Sequence, residues 1–206
     1  MKQYGFFIDV AKCTGCKTCM VACKDKNNLP VGMNLRRVAE YSGGSWRQDR
    51  MTGAWHEDVF AYYLSISCNH CADPACTKAC PTKAHAKREE DGLVLIDREK
   101  CIGCGMCAAA CPYGAPQLDR EAGKMCKCDA CVDRLEKGLE PACVASCPQR
   151  AIEFGDIEEL RRKHGTCAAI APLPAAEATK PALVIHPGKT AKKVGDASGT
   201  VHFALK

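Results

Sequence analysis

The chain has 206 residues, a formal net charge of +5 and eighteen cysteines, but only 6% of its residues are aromatic. No stretch approaches the roughly 20 apolar residues that a helix needs to cross a bilayer, so we expect no direct membrane span. The scarcity of aromatic side chains predicts a thin hydrophobic core. Disulfide frameworks are typical of shorter, secreted chains, and no hydrophobic leader follows Met1.

The cysteines are grouped along the chain. Sixteen of them fall into four consecutive quartets, and a proline follows the last cysteine of the second, third and fourth quartets. In two-cluster ferredoxins, closely spaced thiolates bind one iron–sulfur cluster while the fourth cysteine of the run, often followed by proline, ligates the other cluster. The pattern therefore predicts four 4Fe–4S clusters and a chain of electron carriers. The quartets are Cys13, Cys16, Cys19 and Cys23; Cys68, Cys71, Cys76 and Cys80; Cys101, Cys104, Cys107 and Cys111; and Cys128, Cys131, Cys143 and Cys147.

Structural zinc is the alternative metal for cysteine pairs. A zinc site takes four ligands, often as two separated pairs, whereas a compact C-x2-C-x2-C-x3-C-P run sends its fourth sulfur away from the first three. The spacing favours clusters and leaves a zinc structural protein as an alternative.

The positive net charge does not indicate nucleic-acid binding. Four clusters that each carry roughly −2 would turn the charge of +5 into about −3. Basic residues close to the cysteine motifs would then compensate for buried anionic clusters, so we expect no nucleic-acid partner. These residues are Lys12, Lys17, Lys24, Lys78, Lys100 and Lys127.

Three strands are predicted in front of cysteine quartets. Residues 4–10 form a mainly apolar run before the first quartet, and residues 60–66, rich in aromatic and branched side chains, run into the second. Residues 92–97 follow an Asp-Gly turn and lead to the third quartet. Short helices are expected after each quartet loop. Gly138 and Pro141 supply the stop and start signals around the fourth.

A surface helix is predicted over residues 157–164. Asp156 gives it a capping-box start, and Gly165 follows a basic last turn as a C-cap. From residue 168 onward the chain is rich in Pro, Ala, Lys and Gly, and its apolar residues do not recur at the spacing of an amphipathic helix or strand. This segment is either a disordered tail or an extended arm that becomes ordered against a partner, and the apolar residues 183–185 favour the arm.

The second and third quartets, with the strands before them, are predicted to form one bacterial-type two-cluster ferredoxin unit. The first and fourth quartets are predicted to form a second ferredoxin unit, into which the first unit is inserted. The strand at 4–10 precedes the first quartet, and the chain leaves the fourth through a strand at residues 149–154. The predicted fold class is α+β, with two nested bacterial-type two-cluster ferredoxin units, small hairpins, short helices and an extended C-terminal tail. The predicted boundaries are 1–58 and 125–166 for the outer unit, 59–124 for the inner unit and 167–206 for the arm.

The nesting predicts which cysteines share a cluster, because the fourth cysteine of each run is exchanged within its unit. We name the four predicted ligand sets groups A to D. Group A is Cys13, Cys16, Cys19 and Cys147; group B is Cys128, Cys131, Cys143 and Cys23; group C is Cys68, Cys71, Cys76 and Cys111; and group D is Cys101, Cys104, Cys107 and Cys80.

Three further residues near the motifs are not predicted ligands. Cys126 would break the CxxC spacing that begins at Cys128, Cys167 lies beyond the last motif, and His70 is expected beside a cluster rather than on iron. The chain has no glycine-rich nucleotide fingerprint and no Ser/His/Asp set. We therefore expect a non-catalytic relay that receives electrons from one partner and gives them to another.

The chain resembles the iron–sulfur (B) subunits of dimethyl sulfoxide reductase, which belong to the four-cluster family that serves molybdopterin oxidoreductases. The likeness covers nearly the whole chain. It lies in the cysteine frame and in YGFFID at 4–9, CTGCKTC at 13–19, residues 60–71, CPYGAPQ at 111–117, KHG at 163–165 and APLP at 171–174.

The resemblance implies a complex. In it a catalytic subunit with a bis-molybdopterin guanine dinucleotide centre reduces substrate, an integral membrane anchor oxidises menaquinol, and this chain conducts between them. It also implies a peripheral, membrane-associated position on the periplasmic face after export with the catalytic subunit by the twin-arginine route.

Cys104 stands where nitrate reductase relatives have Trp, which implies a full 4Fe cluster. Lys83 and Cys126 depart from the family pattern. A relay for another molybdenum or tungsten enzyme, of formate, polysulfide, arsenate or catechol type, remains the alternative.

Overall fold

The computed structural model describes residues 2–202, which form an α+β fold of small sheets and short helices. The strands are β1 (Tyr4–Asp9), β2 (Arg37–Gly43), β3 (Trp46–Gln48), β4 (Trp55–Glu57), β5 (Phe60–Ile66), β6 (His85–Lys87), β7 (Val94–Ile96), β8 (Gln117–Asp119), β9 (Lys124–Cys126), β10 (Ile152–Asp156), β11 (Leu183–His186) and β12 (Gly199–His202). The helices are α1 (Thr18–Lys26), α2 (Ala75–Lys78), α3 (Met106–Ala110), α4 (Val132–Leu135), α5 (Ala142–Ala145) and α6 (Ile157–His164), with a 3-10 turn at Ala176–Ala178.

The strand β1 lies at the centre of a sheet with the order β10–β1–β11. It pairs antiparallel with β10, with Tyr4 opposite Asp156, and parallel with β11. Phe6, Phe7 and Ile8 are all buried, so both faces of β1 are covered. A continuous apolar run of this kind is typical of a strand covered on both faces. The strand predicted over residues 4–10 is confirmed, and the exit strand predicted after the fourth quartet is β10, which begins at Ile152.

A second sheet has the order β12–β2–β5, and three two-stranded hairpins complete the pairing in the described part of the chain. Strand β5 matches the predicted strand at 60–66, and β7 lies within the predicted 92–97. We placed β5 in the inner unit, and it pairs along its length with β2 of the predicted outer unit. The two predicted units therefore share a sheet.

The helix α6 begins and ends where the sequence predicts. The Asp156 carboxylate accepts hydrogen bonds from the backbone amides of Glu158 (2.9 Å) and Glu159 (3.3 Å), as an N-cap does. Ile157 and Leu160 are its buried residues.

The C-terminal segment differs from the expected extended arm. Leu183, Val184 and Ile185 form most of β11 and are buried against β1, while Leu173 is buried in the main core. Farther along, β12 pairs with β2. Strand β11 thus occupies one edge of the chain's own sheet, beside β1. Residues 203–206 of the predicted arm lie outside the described residues.

The core is built around cysteines. Its main cluster combines aliphatic side chains such as Ile8, Leu64 and Ile66 with thiols from the first, second, third and fourth quartets. A smaller cluster holds Cys76, Cys101 and Cys107. Within residues 2–202, no helix is both long enough and apolar enough to cross a membrane.

Candidate metal centres

Each cysteine quartet includes a turn with one or more residues in the left-handed region of the backbone. The residues include Gly15 (φ 71°), His70 (φ 42°), Gly103 (φ 71°) and Cys131 (φ 55°). Left-handed turns of this kind gather successive amides on one side of the loop, where they form a concave site for an anion. At Gly15 a Cβ atom would lie 2.5 Å from the ring of Tyr63, so the loop can approach β5 only with glycine there.

Backbone amides donate hydrogen bonds to several of the cysteine sulfurs. Hydrogen bonds to sulfur stabilise the thiolate and help to set the potential of a bound cluster. The pairs are Ala115 N to Cys111 Sγ (3.5 Å), Met125 N to Cys101 Sγ (3.3 Å), Ala130 N to Cys128 Sγ (3.4 Å) and Ala151 N to Cys147 Sγ (3.3 Å).

Group A brings together cysteines from distant parts of the sequence. Cys13, Cys16 and Cys19 of the first loop line the same small cavity as Cys147. Burial raises the pKa of Cys13, and the charges of Cys19, Cys147 and Cys16 raise it further. The four thiols of group A therefore line one cavity.

Group B depends on the packing of two helices. Helix α1 carries Cys23, helix α5 carries Cys143, and the two helices are in contact. Burial raises the pKa of Cys23 to about 12, and the charges of Cys128, Cys143 and Cys131 contribute to the rise. All four cysteines are buried.

Group C lies on the loops around α2. Burial raises the pKa of Cys71 to about 12, and the neighbouring sulfurs of Cys68, Cys111 and Cys76 contribute to the rise. Cys111 comes from the third quartet, as the predicted exchange requires. Thr179 also lies beside this group, with its Oγ1 at 3.3 Å from the Cys71 sulfur.

Group D lies around α3. Burial raises the pKa of Cys107 to about 11, and the neighbouring sulfurs of Cys101 and Cys104 contribute to the rise. Cys80 packs against the small core cluster that contains Cys101 and Cys107. Its own sulfur lies 3.7 Å from the hydroxyl of Thr82.

The residues around these groups fit iron–sulfur clusters better than zinc. A structural zinc ion needs its ligands to converge on one point about 2.0–2.3 Å away, whereas a cubane takes its thiolates at separate iron corners. Among residues 2–202, no three His, Cys, Asp or Glu side chains could hold one metal ion. Buried nitrogen atoms also lack protein partners beside the cysteines, namely Nε of Arg36 and Nε2 of His70. Such atoms suit a site that holds a further acceptor.

Comparison with known proteins gives the same chemistry. The 4Fe-4S dicluster domain family matches residues 59–157, and a 4Fe-4S binding domain family matches residues 11–31. The sequence is 58% identical over 197 residues to the B subunit of anaerobic dimethyl sulfoxide reductase from Escherichia coli K12, covering 96% of this chain and 95% of that protein. It is 55% identical over 199 residues to the corresponding B subunit from Haemophilus influenzae, covering 97% and 96%.

This protein belongs to the family of B subunits of the anaerobic dimethyl sulfoxide reductases. YnfG of E. coli K12, a probable anaerobic dimethyl sulfoxide reductase subunit, is 59% identical over 96% of the chain. The formate dehydrogenase-O iron-sulfur subunit of E. coli K12 is 40% identical over 160 residues, which are 75% of this chain and 53% of that protein. As a member of the B-subunit family, the protein is an iron–sulfur electron-transfer subunit with four 4Fe–4S clusters, as the sequence predicts.

The remaining cysteines of this B-subunit family member have other neighbours. The Cys126 thiol lies 3.3 Å from the sulfur of Met33, and the Cys167 thiol donates to the carbonyl of Ala169 at 3.6 Å. His70 accepts a hydrogen bond from the amide of Val94 at its Nδ1 atom (3.0 Å). None of these contacts involves a thiol of groups A to D.

Three buried cations lie near the cysteine groups, and none of them is among the predicted site residues: Arg36, Arg37 and Lys127. Arg36 is buried between groups A and B, and it belongs to no motif that could have pointed to it. Lys127 was recognised only as a nearby charge, and it is buried with its ammonium donating to the carbonyls of Val94 and Cys128.

Proposed function

We propose that groups A to D each ligate one 4Fe–4S cluster and that the chain relays electrons between two partner subunits of a dimethyl sulfoxide reductase complex. The observation that carries the ligand assignment is the cavity lined jointly by Cys13, Cys16, Cys19 and Cys147. These cysteines belong to the first and fourth quartets, and a nested exchange of fourth ligands accounts for their meeting. Each bound cluster supplies one-electron redox chemistry.

The four groups follow one another in space in the order A, B, C, D. Cys19 of group A interacts electrostatically with Cys143 of group B. Cys128 of group B interacts in the same way with Cys68 of group C. Helix α2 of group C packs against α3 of group D. This succession supports a linear relay.

The two ends of that line reach the surface. Cys16 of group A and Cys104 of group D are exposed, while the four cysteines of group B are buried. Exposed apolar side chains accompany these ends, with Val21 near group A and Ile102 in the group D loop. A relay that serves two partners needs this arrangement, with a contact point at each end and an insulated middle.

The partners that we propose are a molybdopterin catalytic subunit and an integral membrane anchor that oxidises quinol. The chain would be peripheral to the membrane, on its extracytoplasmic face after export with the catalytic subunit. High identity to B subunits of anaerobic dimethyl sulfoxide reductase supports this complex. The similarity to a formate dehydrogenase iron-sulfur subunit favours, as the second candidate, an equivalent relay in another molybdenum or tungsten oxidoreductase.

The chain is proposed to conduct without catalysing. Purified protein with its clusters should exchange electrons with reduced viologen dye and leave dimethyl sulfoxide and trimethylamine N-oxide unchanged, because no catalytic constellation accompanies the cysteines. Dye oxidation and product formation are followed together. Sulfoxide reduction by the molybdenum-free protein would contradict the proposal.

Serine substitutions test the ligand exchange. Cys147→Ser should disturb the same paramagnetic resonance signal as Cys16→Ser, since both would be ligands of group A. Cys131→Ser should disturb a different signal, that of group B, and Cys126→Ser should leave every signal unchanged. If the Cys147 variant instead matches the Cys131 variant, the assignment of groups A and B is wrong.

A further inference from the structure

Arg36 carries a full charge into the interior. Only 2% of its surface is exposed, and it is among the largest fully buried side chains of the described residues. A guanidinium keeps its proton at any ordinary pH. A buried charge needs compensation from neighbouring groups, so the surroundings of Arg36 must supply negative charge or strong acceptors.

The hydrogen-bond acceptors of the Arg36 guanidinium and the aromatic ring beside it are neutral groups. One terminal nitrogen donates to the carbonyl (3.1 Å) and hydroxyl (3.0 Å) of Ser65, and the other donates to the hydroxyl of Ser67 (3.0 Å). The guanidinium also lies over the ring of Phe6, with 4.6 Å between its carbon and the ring centroid. The Nε atom is buried without a partner. These contacts position the group but do not neutralise its charge.

The remaining surroundings are thiols of two different groups. The Ser65 hydroxyl that accepts from Arg36 lies 3.3 Å from the sulfur of Cys19 in group A. Burial lowers the pKa of Arg36, but the charges of Cys143, Cys19 and Cys128 raise it above its ordinary value. Arg36 therefore lies where the sulfurs of groups A and B come together.

We infer that Arg36 is a shared buried cation for the clusters of groups A and B, and that its charge raises the reduction potentials of both. The inference rests on the ligand assignment under Proposed function. A cluster becomes more negative by one charge when it accepts an electron. A fixed positive charge in a site of low polarity stabilises that reduced state, and net charge and hydrogen bonding are established determinants of cluster potential. The same guanidinium therefore favours reduction of two adjacent carriers.

The test is a potentiometric titration of the full chain with its clusters, followed by paramagnetic resonance and accompanied by an iron count. Arg36→Gln removes the charge and should lower the equilibrium constant for one-electron reduction of the group A and group B clusters at least tenfold, or ~59 mV. The clusters of groups C and D should shift less. Arg36→Lys keeps the charge and should leave both potentials within that tenfold limit.

Arg37→Gln is the matched control. Arg37 is the next residue and is also buried, but its terminal nitrogen donates to the carbonyl of Tyr113 (2.8 Å), and the thiol near it is that of Cys111 in group C. Its substitution should spare groups A and B. Unchanged potentials in an Arg36→Gln variant with full iron content, or an equal shift of all four clusters, would overturn the inference.

If the Gln variant does not assemble, Arg36→Lys decides the matter. A tenfold or larger fall in either equilibrium constant with the charge retained would show that guanidinium hydrogen bonding, and not charge, sets these potentials. Serine variants at Cys16 and Cys131 identify which signals belong to groups A and B. A wrong ligand assignment would appear in those variants, separately from the effect of Arg36.

Discussion

The buried thiols hold their protons more tightly than free cysteine. Burial raises the pKa of Cys23 and Cys71 from 9.0 to about 12. Cluster binding requires the thiolate, so assembly on this fold must release protons and becomes easier as pH rises. A thiol with a raised pKa stabilises the cluster-free fold below its ordinary pKa, and that stabilisation is lost as pH rises through the raised value, here between 9.0 and about 12.

Alkylation of the reduced, cluster-free protein tests these pKa values residue by residue. A hydrogen bond from the Thr18 hydroxyl lowers the pKa of Cys16, which is also exposed. The alkylation rate at Cys16 should therefore reach half of its maximum below pH 9, because the reactive species is the thiolate. At Cys23 the rate should still rise about tenfold per pH unit at that point. Peptide mass spectrometry gives both profiles, and a common plateau would contradict the account.

At the same scale, the cysteine spacing predicted the candidate ligands but not the charges that surround them. Three cysteines, each separated from the next by two residues, are a local pattern that is visible in the sequence alone. Arg36 stands in no motif, and its position beside Cys19 and Cys143 arises only when α1 and α5 pack together. A single arginine in a sequence carries no signal of burial.

Among the elements, the C-terminal strand β11 joins distant parts of the chain. It pairs in parallel with β1, with Phe6 opposite Leu183 and Ile8 opposite Ile185. β1 in turn leads into the first cysteine loop. The C-terminal segment therefore supports the strand that positions group A.

Ile185→Ala measures that support. Ile185 is fully buried in β11, and truncation of such a side chain costs about 2–5 kcal/mol. The thermal midpoint of the cluster-loaded protein should fall by several degrees. Val201→Ala on the exposed strand β12 is the control and should change stability by less than about 0.5 kcal/mol. Equal midpoints for the two variants would show that β11 does not stabilise the fold.

Elements with a local signal were predicted well, and those that depend on distant pairing were not. The apolar run of β1, the aromatic strand β5 and the capped helix α6 all carry their signals within a few residues. β11 is a short apolar segment between prolines, and nothing nearby shows that β1 has an open edge for it. The parallel pairing of β1 with β11 joins residues near the two ends of the chain, and no short stretch of sequence indicates it.

At the scale of the whole molecule, four cysteine groups replace much of an ordinary core. Thiols of several quartets are packed with Ile8, Leu64 and Ile66 in one hydrophobic cluster, so cofactors bound at the proposed groups would share the space of the hydrophobic interior. Binding energy at such sites is also folding energy, because the cluster-free fold buries thiols that have lost their partners. With the proposed ligands, the interior that stabilises the fold would also be the path for electrons.

Analysis of iron, acid-labile sulfide and zinc in anaerobically purified protein tests the central claim most directly. Four 4Fe–4S clusters predict about sixteen iron atoms and about sixteen sulfides per chain, with zinc absent. Removal of iron by a chelator should unfold the protein in proportion to the clusters lost. Stoichiometric zinc with little sulfide would contradict the account, because the cysteine groups would then hold a structural metal and could not carry electrons.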